Sequence, residues 1–313
     1  MRIGTVLPNL GPIATPEFVV RAAQQAEALG YESLWVPERV LYPLEPQTPY
    51  GWTPDGSLPD VYRQVLTPIE TLTFVAAHTR RIALGTSILN MPFHNPVLVA
   101  RQLATLDVFS GGRLRVGLGQ GWSKDEYEAT GASLPLRSAR ADEFIGVLRA
   151  MWGADPVEFA GQFFRVPRSI IQPKPIQQPH PPIYLAAFKP RALERVARLA
   201  DGWIPTGLPI AGIRQMMNQI RRTAEAAGRD PAAIQLIVLA HLILTDRPQG
   251  SARAEWIGSL DEIMSDVDAV RELGASELIL NLGFSPSAQS QDGFLEGLEQ
   301  LRRSVPELVA AAA

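Results

Sequence analysis

The sequence predicts an α/β protein in which strands and helices alternate eight times, the pattern of a closed (β/α)8 (TIM) barrel. Two observations carry this. Short apolar runs are each followed by a segment of helical period, and helix-start chemistry such as Thr15-Pro16 or Thr67-Pro68 stands between them. A hydrophobic content of 46% and a charged content of 19% allow the large core that such a barrel needs. The 313 residues fit one domain, 1–313, with insertions at one face. A doubly wound open sheet shares the alternation and is the runner-up, because pattern alone does not report closure.

Residues 2–8 read as the first strand. Thr15-Pro16-Glu17 then supplies a capping hydroxyl, a proline in the first turn and an acidic residue at the positive helix end, and Gly30 stops that helix. Residues 33–36 are the second strand. A long loop follows, 37–66, with Pro43, Pro46, Pro49, Pro54 and Pro59 among Tyr42, Tyr50, Trp52 and Tyr62. A loop of this length in a compact domain is expected to be functional, and its aromatics to pack on something. Helix 67–79, strand 81–87, helix 95–109 and strand 114–118 come next. Helix 138–152 precedes a small hairpin at 157–166 about Gly161. Strand 183–187, helix 190–199, strand 202–204, helix 213–227, strand 235–244, helix 260–273, strand 277–282 and helix 293–303 complete the order. The run 309–313 is expected to be a frayed helix end.

Composition excludes several classes. Net charge is −3 without a long basic run, which argues against nucleic acid or an anionic membrane surface as partner. No apolar stretch approaches the roughly 18 residues of a membrane span, and the run 3–7 is too short for a signal-peptide core. There is no cysteine, so disulfides, thiolate nucleophiles and cysteine-ligated metals are excluded. A cytoplasmic setting is expected.

In a barrel of this type chemistry sits at the C-terminal strand ends. Those ends carry Glu38-Arg39, Ser87-Ile88-Leu89-Asn90, Gly119-Gln120-Gly121-Trp122, Ala186-Ala187-Phe188-Lys189 and Thr206-Gly207. Of the four histidines only His94 lies near a top-face loop, as a pocket residue or a helix-entry residue. His241 falls inside a strand and reads as a core or barrel-interior residue. No metal set, no Gly-x-Ser-x-Gly elbow and no convincing Schiff-base lysine occurs, since Lys189 more plausibly opens the helix at Pro190. What remains is a mouth of glycines, small hydroxyls, amides and aromatics, suited to a bound cofactor. The 117–121 glycines would allow close backbone approach to a ring, or simply make a glycine-rich turn.

Together these segments resemble the luciferase-like monooxygenase superfamily, and within it the coenzyme F420-dependent (deazaflavin) oxidoreductases. The stretches that carry the resemblance are LGTSILNMPFHNP at 84–96, ARQLATLDVFSGGRLRVGLGQGWSKDEYEATG at 100–131 and PKPIQQPHPPIYLAA at 173–187. LADGWIP at 199–205 and TPYGWTPDG at 48–56 support them. The resemblance implies a bacterial-luciferase-like barrel and a homodimer. It also implies a cis peptide at Ser87–Ile88 against the back of the ring, with Asn90 at the same strand end. Gly119, Gln120, Gly121 and Trp122 would follow the ring edge and side chain. Ala186, Ala187, Phe188, Thr206 and Gly207 would approach the phosphate or the substrate, under a lid formed by 37–66.

Two departures bear on the reaction. Many relatives place a histidine after the acidic residue of the second strand, where this chain has Arg39 after Glu38. Arginine stays protonated and shuttles no proton near neutral pH. It would steady an anion, or form a salt bridge within the lid. The sugar-phosphate dehydrogenases of the superfamily carry a glutamate where Trp122 stands, so sugar-phosphate oxidation is not expected here. Three readings stay open: hydride transfer between F420 and a small apolar or aromatic substrate, FMN-dependent monooxygenation with oxygen, and a non-catalytic flavin-binding protein.

Overall fold

The computed structural model describes residues 1–53 and 55–305, so Pro54 and the 309–313 run lie outside the described residues. The chain order is β1 (Arg2–Val6), α1 (Pro16–Ala28), β2 (Ser33–Val36), α2 (Pro68–His78), β3 (Ala83–Thr86), β4 (Leu89–Asn90) and α3 (Pro96–Ser110). Then come β5 (Leu114–Gly119), α4 (Lys124–Ala129), α5 (Arg137–Trp152), β6 (Val157–Ala160), β7 (Arg165–Ser169), β8 (Ile183–Leu185) and α6 (Pro190–Leu199). The chain finishes with β9 (Gly202–Trp203), α7 (Ile210–Ala226), β10 (Gln235–His241), β11 (Ile243–Leu244), β12 (Ile257–Gly258), α8 (Leu260–Glu272), β13 (Glu277–Asn281) and α9 (Gln291–Ser304).

Strands β1, β2, β3, β5, β8, β9, β10 and β13 pair in parallel around a ring. Closure comes from β3 against β5, with Leu84 opposite Leu114 and Gly85 opposite Arg115. The open-sheet alternative is thereby removed. Helix starts follow the expected chemistry. The Thr15 hydroxyl accepts from Phe18 N–H at 3.2 Å, and Asn95 Oδ1 accepts from Val97 and Leu98 N–H.

The barrel interior is filled by side chains rather than left as a pore: Val6, Trp35, Tyr184, Ile204, Ile237, Leu239 and Ile279 form one cluster inside it. Trp35 fits because two inward positions are glycine. A Cβ on Gly85 would sit 2.3 Å from the Trp35 ring, and one on Gly4 would sit 2.1 Å from Ser33 Oγ. Below Trp35 the buried Glu277 carboxylate accepts from Trp35 Nε1 at 3.1 Å and from Ser33, and pairs with Arg2 and Arg115. A second, larger core lies between the outer strand faces and the helices, around Phe18, Leu34, Leu84, Leu103 and Leu148.

Three features differ from the sequence expectation. The hairpin at 157–166 is present and extends to Ser169. The expected strand 235–244 breaks at Leu242. Leu242 N–H still donates to Asn281, but Ile243 N–H turns to Trp256, so β11 leaves the barrel and pairs with β12. Helix α4 was not foreseen. Its six residues are too few to show a helical period, and its signal is the Ser123 cap.

Candidate active site

At the end of β2 the chain turns outward, and Glu38 and Arg39 take different roles. Glu38 Oε2 accepts from the backbone and side chain of Asn90, at 2.7 and 3.1 Å, and Oε1 meets His94 Nε2 at 2.7 Å. His94 therefore buttresses Glu38. Arg39 is buried and lies over the rings of Trp122 and Tyr62, at 4.8 and 5.4 Å. Its charge is balanced by buried Glu126 of α4, with Nε 3.4 Å from Oε1 and outside hydrogen-bond direction. Burial pushes the Glu126 carboxyl up, against the pull of Arg39 and the Val40 N–H. The salt bridge considered for Arg39 exists, but its partner lies outside the lid.

At the end of β3 the Ser87–Ile88 peptide is cis, as the resemblance implies. Thr86 Oγ1 binds both the N–H and the C=O of Gly117, locking this strand end onto β5. The glycines of 117–121 serve that contact. A Cβ on Gly117 would meet Thr86 O at 2.0 Å, and one on Gly119 would meet Ile88 Cδ1 at 1.6 Å. Gly121, at φ +66°, stands against the Phe93 ring. Gln120 sends its amide to Arg137 O at 3.1 Å, and its own carbonyl accepts from Tyr127. Gly119, Gln120 and Gly121 thus shape the wall behind Ile88 and line neither cavity described below.

Strand alternation sorts the end of β8. Ala186 faces the mouth, whereas Ala187 is buried outward, its carbonyl holding Trp203 Nε1 at 3.0 Å. Phe188 and Thr206 line the mouth with Ala186. Gly207, at φ +63°, lies under the Trp52 indole, where a Cβ would come within 2.5 Å of Nε1.

These ends enclose a cavity of about 230 Å³ that includes Glu38, Arg39, Ser87, Ile88, Asn90 and Trp122. It adjoins a second of about 790 Å³, and Tyr50, Trp52, Thr206, Leu239 and His241 line both. The lid 37–66 is held by its own aromatic cluster. Tyr50 and Tyr62 hydroxyls meet at 3.1 Å, and Leu58 packs beside them. Helix α4 ties the lid down. Gln47 donates to Asp125 at 3.1 Å and to Glu128 at 2.8 Å, and Val40 N–H donates to Glu126 at 2.8 Å.

Among the described residues, eight buried side-chain nitrogen and oxygen atoms have no hydrogen-bond partner. Five of them belong to residues of the smaller cavity: Arg39 Nε and Nη2, Ser87 Oγ, Thr206 Oγ1 and His241 Nε2. Buried polar groups are rarely left unpaired, and a cluster of them marks a place that water or a ligand completes. This concentration fits a heteroaromatic ring rich in acceptors, with Ile88 and Trp122 as apolar walls.

The decisive comparison is the sequence pattern of the luciferase-like monooxygenase family, which matches residues 1–304. The chain belongs to that family. An uncharacterized protein of Mycobacterium tuberculosis is 36% identical over 74% of this chain and 80% of its own length. The FMNH2-dependent dimethylsulfone monooxygenase of Pseudomonas putida is 31% identical over 75% and 67%. The F420-dependent glucose-6-phosphate dehydrogenase of Amycolatopsis mediterranei is 30% identical over 68% and 60%. The monooxygenase RslO1 from Streptomyces bottropensis shares the fold, with a TM-score of 0.80 at 23% identity, covering 97% of this chain and 98% of its own. The protein is an oxidoreductase of this family, whose members use F420 or FMN.

His241 points into the barrel, as one of the two sequence readings has it, but its Nε2 is unsatisfied and it opens on the site, where the sequence reading gave it no place. The signal was present: Ile237, Leu239 and His241 alternate along β10, and the first two are barrel-interior residues. His241 is the last inward position and opens on both cavities. Burial holds its imidazole neutral, with the pKa lowered to about 4. Glu126 and Asn281, both missed, act through Arg39 and His241 respectively.

Proposed function

We propose that the protein binds coenzyme F420 at the end of β3 and uses it to pass a hydride to an unsaturated, largely apolar organic acceptor. One observation carries the reading: the unpartnered polar atoms of the site all belong to groups that can donate a hydrogen bond. No carboxylate there is free to act as a base. Glu38 is engaged by Asn90 and His94, and Glu126 faces Arg39. Such a site holds and polarises a C=O or C=N group better than it deprotonates an alcohol.

Ser87, Ile88, Asn90, Trp122, Ala186, Phe188 and Thr206 are the residues that would hold the coenzyme, with Gly119, Gln120, Gly121 and Ala187 supporting them from behind. Gly207 belongs to the adjoining substrate space. Reduced F420, when bound, supplies the hydride from its C5 position to the acceptor carbon, and solvent supplies the proton to the heteroatom. Arg39 adds a fixed positive charge and, at Nη2, an unpartnered donor beside the reacting groups. Trp122 in place of an acidic residue, and the aromatic lid, favour an apolar or aromatic substrate over a sugar phosphate.

FMN-dependent monooxygenation is the second reading. The lid favours it, because Tyr50, Trp52 and Tyr62 shield the mouth from water, a condition that oxygen chemistry also needs. Parallel fluorescence titrations with F420 and FMN, oxidised and reduced, test the assignment. Saturable binding of F420 at least tenfold tighter than FMN is expected. Preference for FMN would overturn the coenzyme assignment. F420 binding without oxidation of the reduced form by ketones, enones or imines would make the chain a carrier.

A further inference from the structure

His241 ends β10 directly opposite Asn281, which ends β13. Asn281 Oδ1 accepts from Gly283 N–H at 2.9 Å, which fixes the orientation of the amide. Its NH2 group is therefore the one that faces His241 Nδ1, at 2.8 Å. A nitrogen that accepts from an amide carries no proton, so the ring proton sits on Nε2. Nε2 is buried and has no partner. The ring is clamped by Trp52 at 4.8 Å and by Phe284, in T-shaped contact at 5.0 Å, so it offers one N–H in one direction.

The larger cavity begins at this ring. Its other walls include Ile213, Val238, Ile243, Trp256 and Phe284. Its one carboxylate, Glu255, is turned to the N–H of Ile210 at 2.7 Å. A space of about 790 Å³ is in the range that encloses a drug-sized molecule, and this one is largely apolar, with two unpartnered donors, the clamped His241 Nε2–H and the rotatable Thr206 hydroxyl, where it adjoins the smaller cavity.

We propose that His241 is the substrate-recognition donor, its Nε2–H bonding the carbonyl oxygen of a molecule whose bulky apolar body fills the larger cavity. Asn281 is its positioning residue, and the Gly283 N–H sets Asn281. This rests on the reading of the site as a hydride-transfer site, and it names the substrate class: hydrophobic ketones or aldehydes. The charged groups that share the two cavities are Glu38, Arg39, Glu126 and Glu255, while the ring itself packs on Trp52, Phe284 and Asn281.

The test compares 4-phenylcyclohexanone with phenylcyclohexane, the same body without the oxygen, by quenching of tryptophan fluorescence in the 313-residue chain. The ketone is expected to bind about tenfold tighter, the worth of one well-placed buried hydrogen bond. His241→Phe should abolish that preference while phenylcyclohexane affinity stays within about twofold. Asn281→Asp is the sharper variant. A carboxylate accepts the ring proton at Nδ1 and turns a lone pair into the cavity. Its ketone preference should vanish at pH 8 and return on acidification, when the ring becomes doubly protonated, whereas the wild type should show one preference from pH 8 to 5.

Nitrogen-15 spectra of the wild type give an answer that needs no variant. Nε2 should carry the proton, and its shift should respond to the ketone and not to the hydrocarbon. Equal affinity for the two probes, no binding of either, a preference that survives in His241→Phe, or a proton on Nδ1 would each overturn the proposal. The F420 titration separates the two assignments. Coenzyme binding with any of those failures removes His241 alone, and ketone preference without coenzyme binding removes the coenzyme alone.

Discussion

Arg39 shows what a buried arginine at a strand end requires of its surroundings. A histidine there would gain and lose a proton near neutral pH, whereas a guanidinium is a permanent cation that must be paired when buried. Glu126 supplies the pairing, and with it a lid contact through the Val40 N–H. Removing one member of a buried pair strands the other. Arg39→Met should therefore cost about 3 kcal/mol in denaturant unfolding, and the double variant Arg39→Met with Glu126→Gln should recover most of it. Additive losses in the double variant would show that the two residues act independently. The pair was only half legible in the sequence, since Arg39 stood at a strand end but Glu126 lay in a stretch without a visible period. The glycines are the opposite case. Their number in 117–121 was evident, but their cause was not: they make room for Thr86 and Ile88 of the neighbouring strand end.

At the scale of elements, the strands and the long helices followed their apolar patterns, and the departures came where short segments answer to partners far along the chain. Helix α4 exists to present Asp125, Glu126 and Glu128 to the lid. Strand β10 ends where Ile243 finds Trp256 in place of β13. The start of α8 is a further tether. Glu262 accepts from the N–H groups of Gln249, Ser259 and Gly250, which hold the segment before the helix against its first turn. Those N–H groups, Gln249 foremost, lower its pKa from 4.5 to about 2. A carboxylate with a depressed folded pKa contributes stability above its unfolded value, and that contribution fades as pH falls through the folded one. The difference in Tm between wild type and Glu262→Gln should therefore be constant above pH 4.5 and close progressively toward pH 2. A gap unchanged over that range would mean that the carboxylate is not what the segment depends on.

Over the whole molecule, the barrel separates support from chemistry. Its lower half is sealed by Trp35 and the Glu277 network, and five unpartnered polar atoms gather at the upper rim. The order of strands and helices was readable from their alternation, whereas closure and the cis Ser87–Ile88 peptide followed only from the family resemblance that five blocks of sequence carry. The substrate side was less so, because His241 and Asn281 meet only when β10 pairs with β13. The claim that joins these parts is that the rim cavity holds the coenzyme. The most direct test is the F420 binding isotherm of the wild type beside that of Ala186→Phe, with folding checked by circular dichroism. Ala186 points into the cavity, so a phenyl ring there should fill it and weaken F420 binding at least tenfold with the fold intact. Unchanged affinity in a folded Ala186→Phe variant would place the coenzyme elsewhere and contradict the account.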